Sequence, residues 1–243
     1  MKFLKQIDLS KIKVLSFDLD NTLYDCETVL RKADAWFTQY LCDTYGLGGA
    51  CLKYDYWSQV KAEVLHDNPA LADDVTLLRE VSLVEAFKRL KIPLKNGLDE
   101  ARELVDLFVD HRSAGFVHQD IYDMLASLSE KYPMIALSNG NLKPEKIGLE
   151  RYFERDIRPS VGGLRRKPYA DMFIECAKYK NVKIDEILHI GDDPFTDVYG
   201  AVQSGCKCAW VYKGYTGISP DEKQLKVLPD ILLDNVLELK DLL

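Results

Sequence analysis

The sequence predicts an α/β fold, with a Rossmann-like parallel-sheet core and an all-helical domain inserted after its first strand. Three observations carry this. Short apolar runs recur at "VLSF" (14–17), "MIAL" (134–137), "EILHI" (186–190), "CAWVY" (208–212) and "DILL" (230–233), and most of them alternate with helical patterns. Residues 26–115 show helical periodicity with no clear strand alternation. Three of the runs end abruptly in small polar or acidic residues, the form a buried strand takes where it opens onto a binding rim. The core is accordingly read as 1–25 and 116–243, and the helical domain as 26–115.

Taken in order, the first run ends in "DLDNT", with Asp18 and Asp20 separated only by Leu19. In the helical block, Val29, Leu30, Ala33, Trp36, Phe37, Tyr40 and Leu41 recur at three-to-four spacing before Gly46. The aromatic members of this stripe are expected to be core. Val75, Leu78, Ser82, Leu83, Ala86, Phe87 and Leu90 repeat the pattern, and "DEARELVDLFVDH" adds a helix with Asp99 as its expected N-cap. Beyond the second strand, "PYADMFIECAKYK" places Met172, Phe173, Cys176 and Ala177 on one stripe behind Pro168. "PFTDVYGAVQSG" predicts a last core helix, opened by Pro194 and closed by Gly205.

Composition narrows the function classes. The chain has 243 residues, 47% of them apolar, enough for one large domain or two unequal ones. With 32 Lys and Arg against 39 Asp and Glu, the net charge is −7, so no long-range attraction to nucleic acid or anionic membrane is expected. The six cysteines (Cys26, Cys42, Cys51, Cys176, Cys206 and Cys208) include no CxxC pair and are read as reduced structural thiols of a cytoplasmic protein. No window has the length of apolar sequence a membrane span needs, and the N-terminal "MKFLKQIDLSKIK" lacks the apolar run of a signal peptide.

In open parallel sheets, ligands bind beyond the carboxyl ends of the strands. Asp18 and Asp20 follow the first run, Ser138 and Asn139 the second, and Gly191, Asp192 and Asp193 the third. Clustered carboxylates there call for a cation, and hard oxygen donors with room for water suit Mg²⁺. A phosphoryl group also needs positive charge and donors on its oxygens; Lys167 and Ser138 are the candidates. His189, inside a strand, reads as a satisfied core histidine, and His66, His111 and His118 show no metal-ligand spacing.

"DLDNT", "SNG", an isolated Lys167 before a helix and "GDDPFTD" together resemble, in order and separation, the four motifs of the haloacid dehalogenase superfamily. The helical block resembles that superfamily's first type of cap domain. The wording of "FDLDNTLYD", "DVTLLRE", "LSNGNLKPE", "GLERYFE", "RKPYADMF", "EILHIGDDPFTDVYGA" and "GCKCAWV" is similar to the bacterial YigB-type phosphatases, which act on flavin mononucleotide and on the phosphorylated ribitylaminouracil intermediate of riboflavin synthesis. This resemblance implies a Mg²⁺-dependent phosphatase of small phosphorylated metabolites, monomeric or homodimeric. Asp18 would be the nucleophile and Asp20 the acid and base. Ser138, Asn139 and Lys167 would hold the phosphoryl group. Asp18, Asp192 and the Asp20 carbonyl would bind the metal, with Asp193 or Asp197 orienting metal-bound water or Lys167. Tyr24 and Arg79 are the candidates for substrate contacts on the cap side.

Other readings are weaker. A dehalogenase attacking carbon has no use for Asp20 or a metal, and a phosphonate-cleaving enzyme would need a cap lysine, for which Lys32, Lys53 and Lys61 carry no motif. A nucleoside or sugar monophosphate phosphatase, or a phosphomutase, fits the same core. A receiver domain would put its phosphorylated Asp after a middle strand, and an inert binding protein would not keep every catalytic position.

Overall fold

The computed structural model describes residues 1–48, 54–215 and 225–242; Cys51 and Lys53 lie outside them. Its residues group into two compact units. One comprises Met1–Cys26, Gly115–Gly140 and Ile147–Leu243, the other Glu27–Ala114 and Asn141–Lys146.

The first unit is built on a seven-stranded sheet. Its strands are β1 (Lys2–Phe3), β2 (Val14–Phe17), β3 (Met134–Leu137), β4 (Arg155–Ile157), β5 (Ile187–Gly191), β6 (Lys207–Val211) and β7 (Ile231–Leu233), in the spatial order β1-β7-β6-β5-β2-β3-β4. All neighbours are parallel except β1 and β7. All residues of β2, β3 and β5 are buried, which is why these strands read as continuous apolar runs rather than alternating ones. From β2 the chain builds outward through β3 and β4, then returns to the other flank of β2 for β5, β6 and β7. That reversal is a topological switch point, the place where open sheets leave a crevice for ligands. Register levels the rim: Phe17 pairs with Ile190 on one side and Ala136 on the other, so Asp18, Gly191 and Ser138 leave the sheet at nearly one height.

In this unit, α6 (Asp171–Lys180) buries Met172, Phe173 and Cys176, the predicted stripe, and stops at Asn181 in the left-handed region (φ 51°). Pro194–Tyr199 forms a wide helical turn that continues into α7 (Gly200–Ser204), closed by Gly205 at φ 91°. The helix α5 (Gln119–Ser129) buries Ile121, Met124, Leu125 and Leu128. It was not predicted, although these residues are spaced as an amphipathic helix. β1 and β4 were also missed, because two or three residues with polar members carry no strand signal.

The second unit contains α1 (Cys26–Tyr45), α2 (Tyr54–Asp67), α3 (Val75–Arg89) and α4 (Leu98–Arg112). Ala33, Phe37 and Leu41 of α1 pack with Leu83 and Phe87 of α3 and with Leu104, Val105 and Phe108 of α4. Each large side chain buried here contributes about 1.5–3 kcal/mol. Asp99 is not the N-cap of α4. The helix starts two residues earlier than that cap would place it, with Gly97 (φ 55°) at the cap and Asp99 in the first turn. Segment 141–146 joins this unit through Arg112, which donates to Asn141 Oδ1 (3.0 Å), and through Lys143, whose N–H donates to Ser113 Oγ (2.9 Å). No helix among the described residues is long and apolar enough to cross a membrane.

Candidate active site

Asp18 is the first residue past β2, anchored by its N–H, which donates to Ile190 O (2.8 Å). Alternation along the strand turns its side chain to the same face as Ser16 and away from Leu19. Asp18 is 7% exposed. Lys167, 1% exposed, reaches it from the loop before α6: Nζ lies 2.8 Å from Asp18 Oδ1 and 2.6 Å from Asp197 Oδ1. Oxygens of Asp18, Asp192 and Asp197 all fall within 4.8 Å of one another. Thr22 Oγ1 lies between two of these groups, 3.4 Å from Asp18 Oδ2 and 3.3 Å from Asp192 Oδ1.

Two devices place the lysine and its second partner. Asn139, at the end of β3, uses both ends of its amide on the Lys167 backbone: Oδ1 accepts from Lys167 N and Nδ2 donates to Lys167 O, each at 2.9 Å. Gly191 leaves the room that Asp197 occupies, since a Cβ there would stand 2.3 Å from Asp197 Cγ. Asp197 Oδ1 also faces His189 Nε2 (3.2 Å), and its Oδ2 accepts from Asp193 N (3.0 Å).

The electrostatics follow from two buried carboxylates sharing one buried ammonium. Burial opposes ionisation of Asp197, but Lys167 and the His189 hydrogen bond outweigh it and hold its carboxyl below the usual range. Burial pushes Asp18 up more than Lys167 pulls it down, and the neighbouring Asp197, Asp20 and Asp192 add to the rise. Burial disfavours the Lys167 charge, yet the two carboxylates raise it above the ordinary value of 10.5. A cluster in which the Asp18 carboxylate is driven toward protonation by burial and like charge is one that a hard cation would suit, and the all-oxygen donor set matches a Mg²⁺-type ion. Asp18 and the half-buried Asp192 fit such an ion better than Asp197, which already accepts three protein donors.

The remaining candidates are distributed as follows. Asp20 Oδ1 accepts from the Tyr24 hydroxyl, and Asp20 Oδ2 lies over Gly140, where a Cβ would fall 2.2 Å away. Tyr24, expected as a substrate contact, is fully buried, since the turn returns it to a bridge with Asp20. Ser138 is buried and its Oγ accepts from Gly140 N (3.1 Å). Asp193, one of two alternatives beside the metal, uses Oδ1 to cap the following turn, accepting from Phe195 N (2.8 Å) and Thr196 N (2.7 Å). Arg79 lies in the helical unit, paired with Asp34 Oδ1 (3.1 Å) and with its guanidinium 3.6 Å from the Phe108 ring centroid. With Trp57, Lys61, Phe37 and Ser82 it lines an open pocket of about 440 Å³. Burial and Arg79 hold the Lys61 ammonium below its ordinary value. Sequence reasoning missed Thr22, the clamp made by Asn139, and the space left by Gly140 and Gly191. Thr22 could have been found, because in "DLDNT" it stands four residues after Asp18, within reach of it across one turn.

The chain matches the model of the haloacid dehalogenase-like hydrolases over residues 12–205. It is 34% identical over 203 residues to 5-amino-6-(5-phospho-D-ribitylamino)uracil phosphatase YigB of Escherichia coli (strain K12), covering 84% of each chain. It is 25% identical over 257 residues to the human N-acylneuraminate-9-phosphatase, covering 97% of this chain and 95% of that one. Among solved structures, the 2-haloacid dehalogenase of Pseudomonas syringae pv. Tomato DC3000 aligns with a TM-score of 0.78 at 25% identity, over 95% of this chain and 97% of that one. The magnesium-bound putative HAD-hydrolase YfnB of Bacillus subtilis shares the fold, with a TM-score of 0.63 at 15% identity over 95% and 97% of the two chains.

Proposed function

The chain belongs to the haloacid dehalogenase-like hydrolase family, and we propose that it is a Mg²⁺-dependent phosphatase of small phosphate monoesters, working in the cytoplasm on flavin mononucleotide or the phosphorylated ribitylaminouracil of riboflavin synthesis. The observation that carries the chemistry is the division of labour between two carboxylates two residues apart. Asp18 is held by Lys167, whereas Asp20 is held by Tyr24. A dehalogenase needs only the first. The similarity to the E. coli phosphatase supports the substrate.

In this reading an Asp18 oxygen attacks phosphorus as the bond to the leaving oxygen breaks, and Asp20 gives that oxygen its proton. Tyr24 donates to Oδ1, so the proton is carried on Oδ2, the oxygen facing Gly140. Asp20 then takes a proton from water, whose oxygen attacks phosphorus and releases Asp18 with inorganic phosphate. Lys167 offsets the charge of Asp18 throughout, and Asn139 keeps the lysine in place. The Asp18 and Asp192 carboxylates and the Asp20 carbonyl would hold Mg²⁺, which when bound would supply the positive charge that lets a carboxylate approach a phosphate dianion. We assign Asp197 to orienting Lys167 and Asp193 to capping. Ser138 supplies a donor for the phosphoryl oxygens, and the helical unit, through Arg79, contributes to selecting the leaving group.

The test is phosphate release from flavin mononucleotide, the ribitylaminouracil phosphate, nucleoside monophosphates and sugar phosphates, with and without Mg²⁺, beside Asp18→Asn. Metal-dependent turnover led by the two flavin-pathway compounds and abolished in Asp18→Asn is expected. Turnover retained in that variant would overturn the mechanism, and turnover led by an N-acyl sugar phosphate would move the substrate assignment.

A further inference from the structure

We infer that His189 is a positioning residue: with Ser16 it forms a buried relay, Ser16–His189–Asp197–Lys167–Asp18, that fixes which way the Asp197 carboxylate faces and so where Lys167 holds the nucleophile. The inference goes beyond the phosphatase reading but rests on its assignment of Asp18 and Lys167.

Ser16 and His189 are register partners on adjacent strands, so their side chains leave the sheet on one face. Both are fully buried, with Ser16 Oγ 3.0 Å from His189 Nδ1. His189 Nε2 lies 3.2 Å from Asp197 Oδ1, the same oxygen that accepts from Lys167 Nζ at 2.6 Å. The edge-to-face contact with Phe173, centroids 5.0 Å apart at 90°, holds the ring plane.

An ionised Asp197 leads to one assignment of the roles. An ionised carboxylate only accepts, so Nε2 must carry the hydrogen that points at Asp197. In a neutral imidazole Nδ1 is then the acceptor, and the Ser16 hydroxyl is the donor that completes it. Burial, which lowers the His189 pKa, is consistent with the neutral ring. A residue serving only as strand filler would be apolar here, because an imidazole without partners is costly at zero exposure. Instead both ring nitrogens are used, and the donor ends on the oxygen shared with Lys167. Three donors, from Lys167, His189 and the Asp193 backbone, therefore allow Asp197 one orientation.

The experiment compares His189→Leu, His189→Gln and Ser16→Ala, using Mg²⁺-supported hydrolysis of 4-nitrophenyl phosphate and, in metal-free wild type, the imidazole ¹⁵N shifts. Gln keeps an N–H near the Nε2 position and Leu does not. Loss of a hydrogen-bond partner that orients a metal ligand typically lowers activity about 10–100-fold, and the same range is carried to His189, which acts on the ligand Asp18 through Asp197 and Lys167. His189→Leu is expected to lose that much in kcat with KM nearly unchanged, Gln to recover most of it, and Ser16→Ala to lose less and to add nothing in the Leu background. The ¹⁵N pattern is expected to be that of the neutral Nε2–H tautomer. Undiminished kcat in His189→Leu, equal losses in Leu and Gln, or an Nδ1–H tautomer would overturn the relay. If His189→Leu fails to fold, His189→Asn, whose shorter amide stops short of Asp197, replaces it with the same expected loss. A wild type without turnover but with the Nε2–H tautomer would count against the phosphatase reading and leave the hydrogen-bonded relay standing.

Discussion

Replacing Lys167 by Met keeps the length of the side chain and removes the one ammonium between Asp18 and Asp197. Both carboxylates lie within 3 Å of Nζ, at 2.8 and 2.6 Å, and the lysine is 1% exposed, so water does not replace the lost charge. Removing one partner of such a buried group costs about 3–5 kcal/mol when the remaining charges stay ionised. They need not stay ionised, and this makes the cost depend on pH. In the wild type, Lys167 has a folded pKa above its ordinary 10.5, so its contribution is present throughout the range below that value. Asp197 has a depressed pKa, so its contribution is present above 3.8 and is lost as pH falls below it. Asp18 has a raised pKa, so it already makes the folded state less stable as pH rises above 3.8. In Lys167→Met the Asp197 depression is reversed, and the folded cluster takes up one more proton than the wild type, on a carboxylate or on His189. Each pH unit over which that proton is bound changes the difference by about 1.4 kcal/mol. Urea denaturation in chelator is therefore expected to show a penalty of about 3–5 kcal/mol near pH 8, shrinking to roughly 1 kcal/mol near pH 5. A penalty that is the same at both pH values would refute the reasoning, because it would mean that no proton replaces the ammonium.

Gly191→Ala places a methyl 2.3 Å from Asp197 Cγ at a residue whose backbone needs no glycine. A destabilisation of about 1–3 kcal/mol in thermal or urea unfolding is expected, with loss of turnover because Asp197 must leave Lys167. Asp193→Ala removes the cap on Phe195 N and Thr196 N and is expected to cost about 1 kcal/mol while the Mg²⁺ concentration for half-maximal activity stays put; a large rise in that concentration would place Asp193 on the metal instead. Arg79→Ala opens the pair with Asp34 and the contact with Phe108, a loss of about 1–2 kcal/mol in stability. It is also expected to raise KM for a large substrate more than for 4-nitrophenyl phosphate, and equal rises would remove Arg79 from substrate selection.

The parts of the fold that could be read from the sequence are those where burial alone dictates the residues. β2 and β3 lie where their apolar runs stand, because strands covered on both faces admit few polar residues. β5 and β6 are offset by one residue from their runs, since polar neighbours at Glu186 and Lys207 blur where pairing begins. β4, of sequence RDI, is a strand only because β3 is there to pair with it. For the site, the strand-end rule pointed to Asp18 and Asp192, and Lys167, singled out for its charge ahead of a helix, meets Asp18 in the structure. It was not enough to say how each side chain uses its atoms. Asn139 was expected to hold the phosphoryl group, and the sequence did not reveal that its amide is also engaged with the Lys167 backbone. Asp193 and Asp197 were equivalent on paper, and they separate only because Gly191 leaves a space that Asp197 fills. A residue order lists donors and acceptors; only the packed structure says which are already used.

The bonds that hold the cluster have a consequence for how such a protein can change. Asp18 to Lys167, Lys167 to Asp197, Asp197 to His189, His189 to Ser16 and Asn139 to Lys167 all join residues of the sheet-bearing unit. The pocket around Arg79, Asp34, Lys61 and Trp57 is made wholly of residues from the helical unit. Substitutions in that pocket leave every one of these bonds in place, and under the proposed division their effects should add to those of core substitutions rather than couple to them, as for sites without shared partners. Under the proposed division, Arg79→Ala combined with Ser16→Ala should show kcat set by the second change and the substrate ratio of KM set by the first. Coupling between the two would mean that the helical unit also positions the nucleophile, and the separation of chemistry from selection would fail.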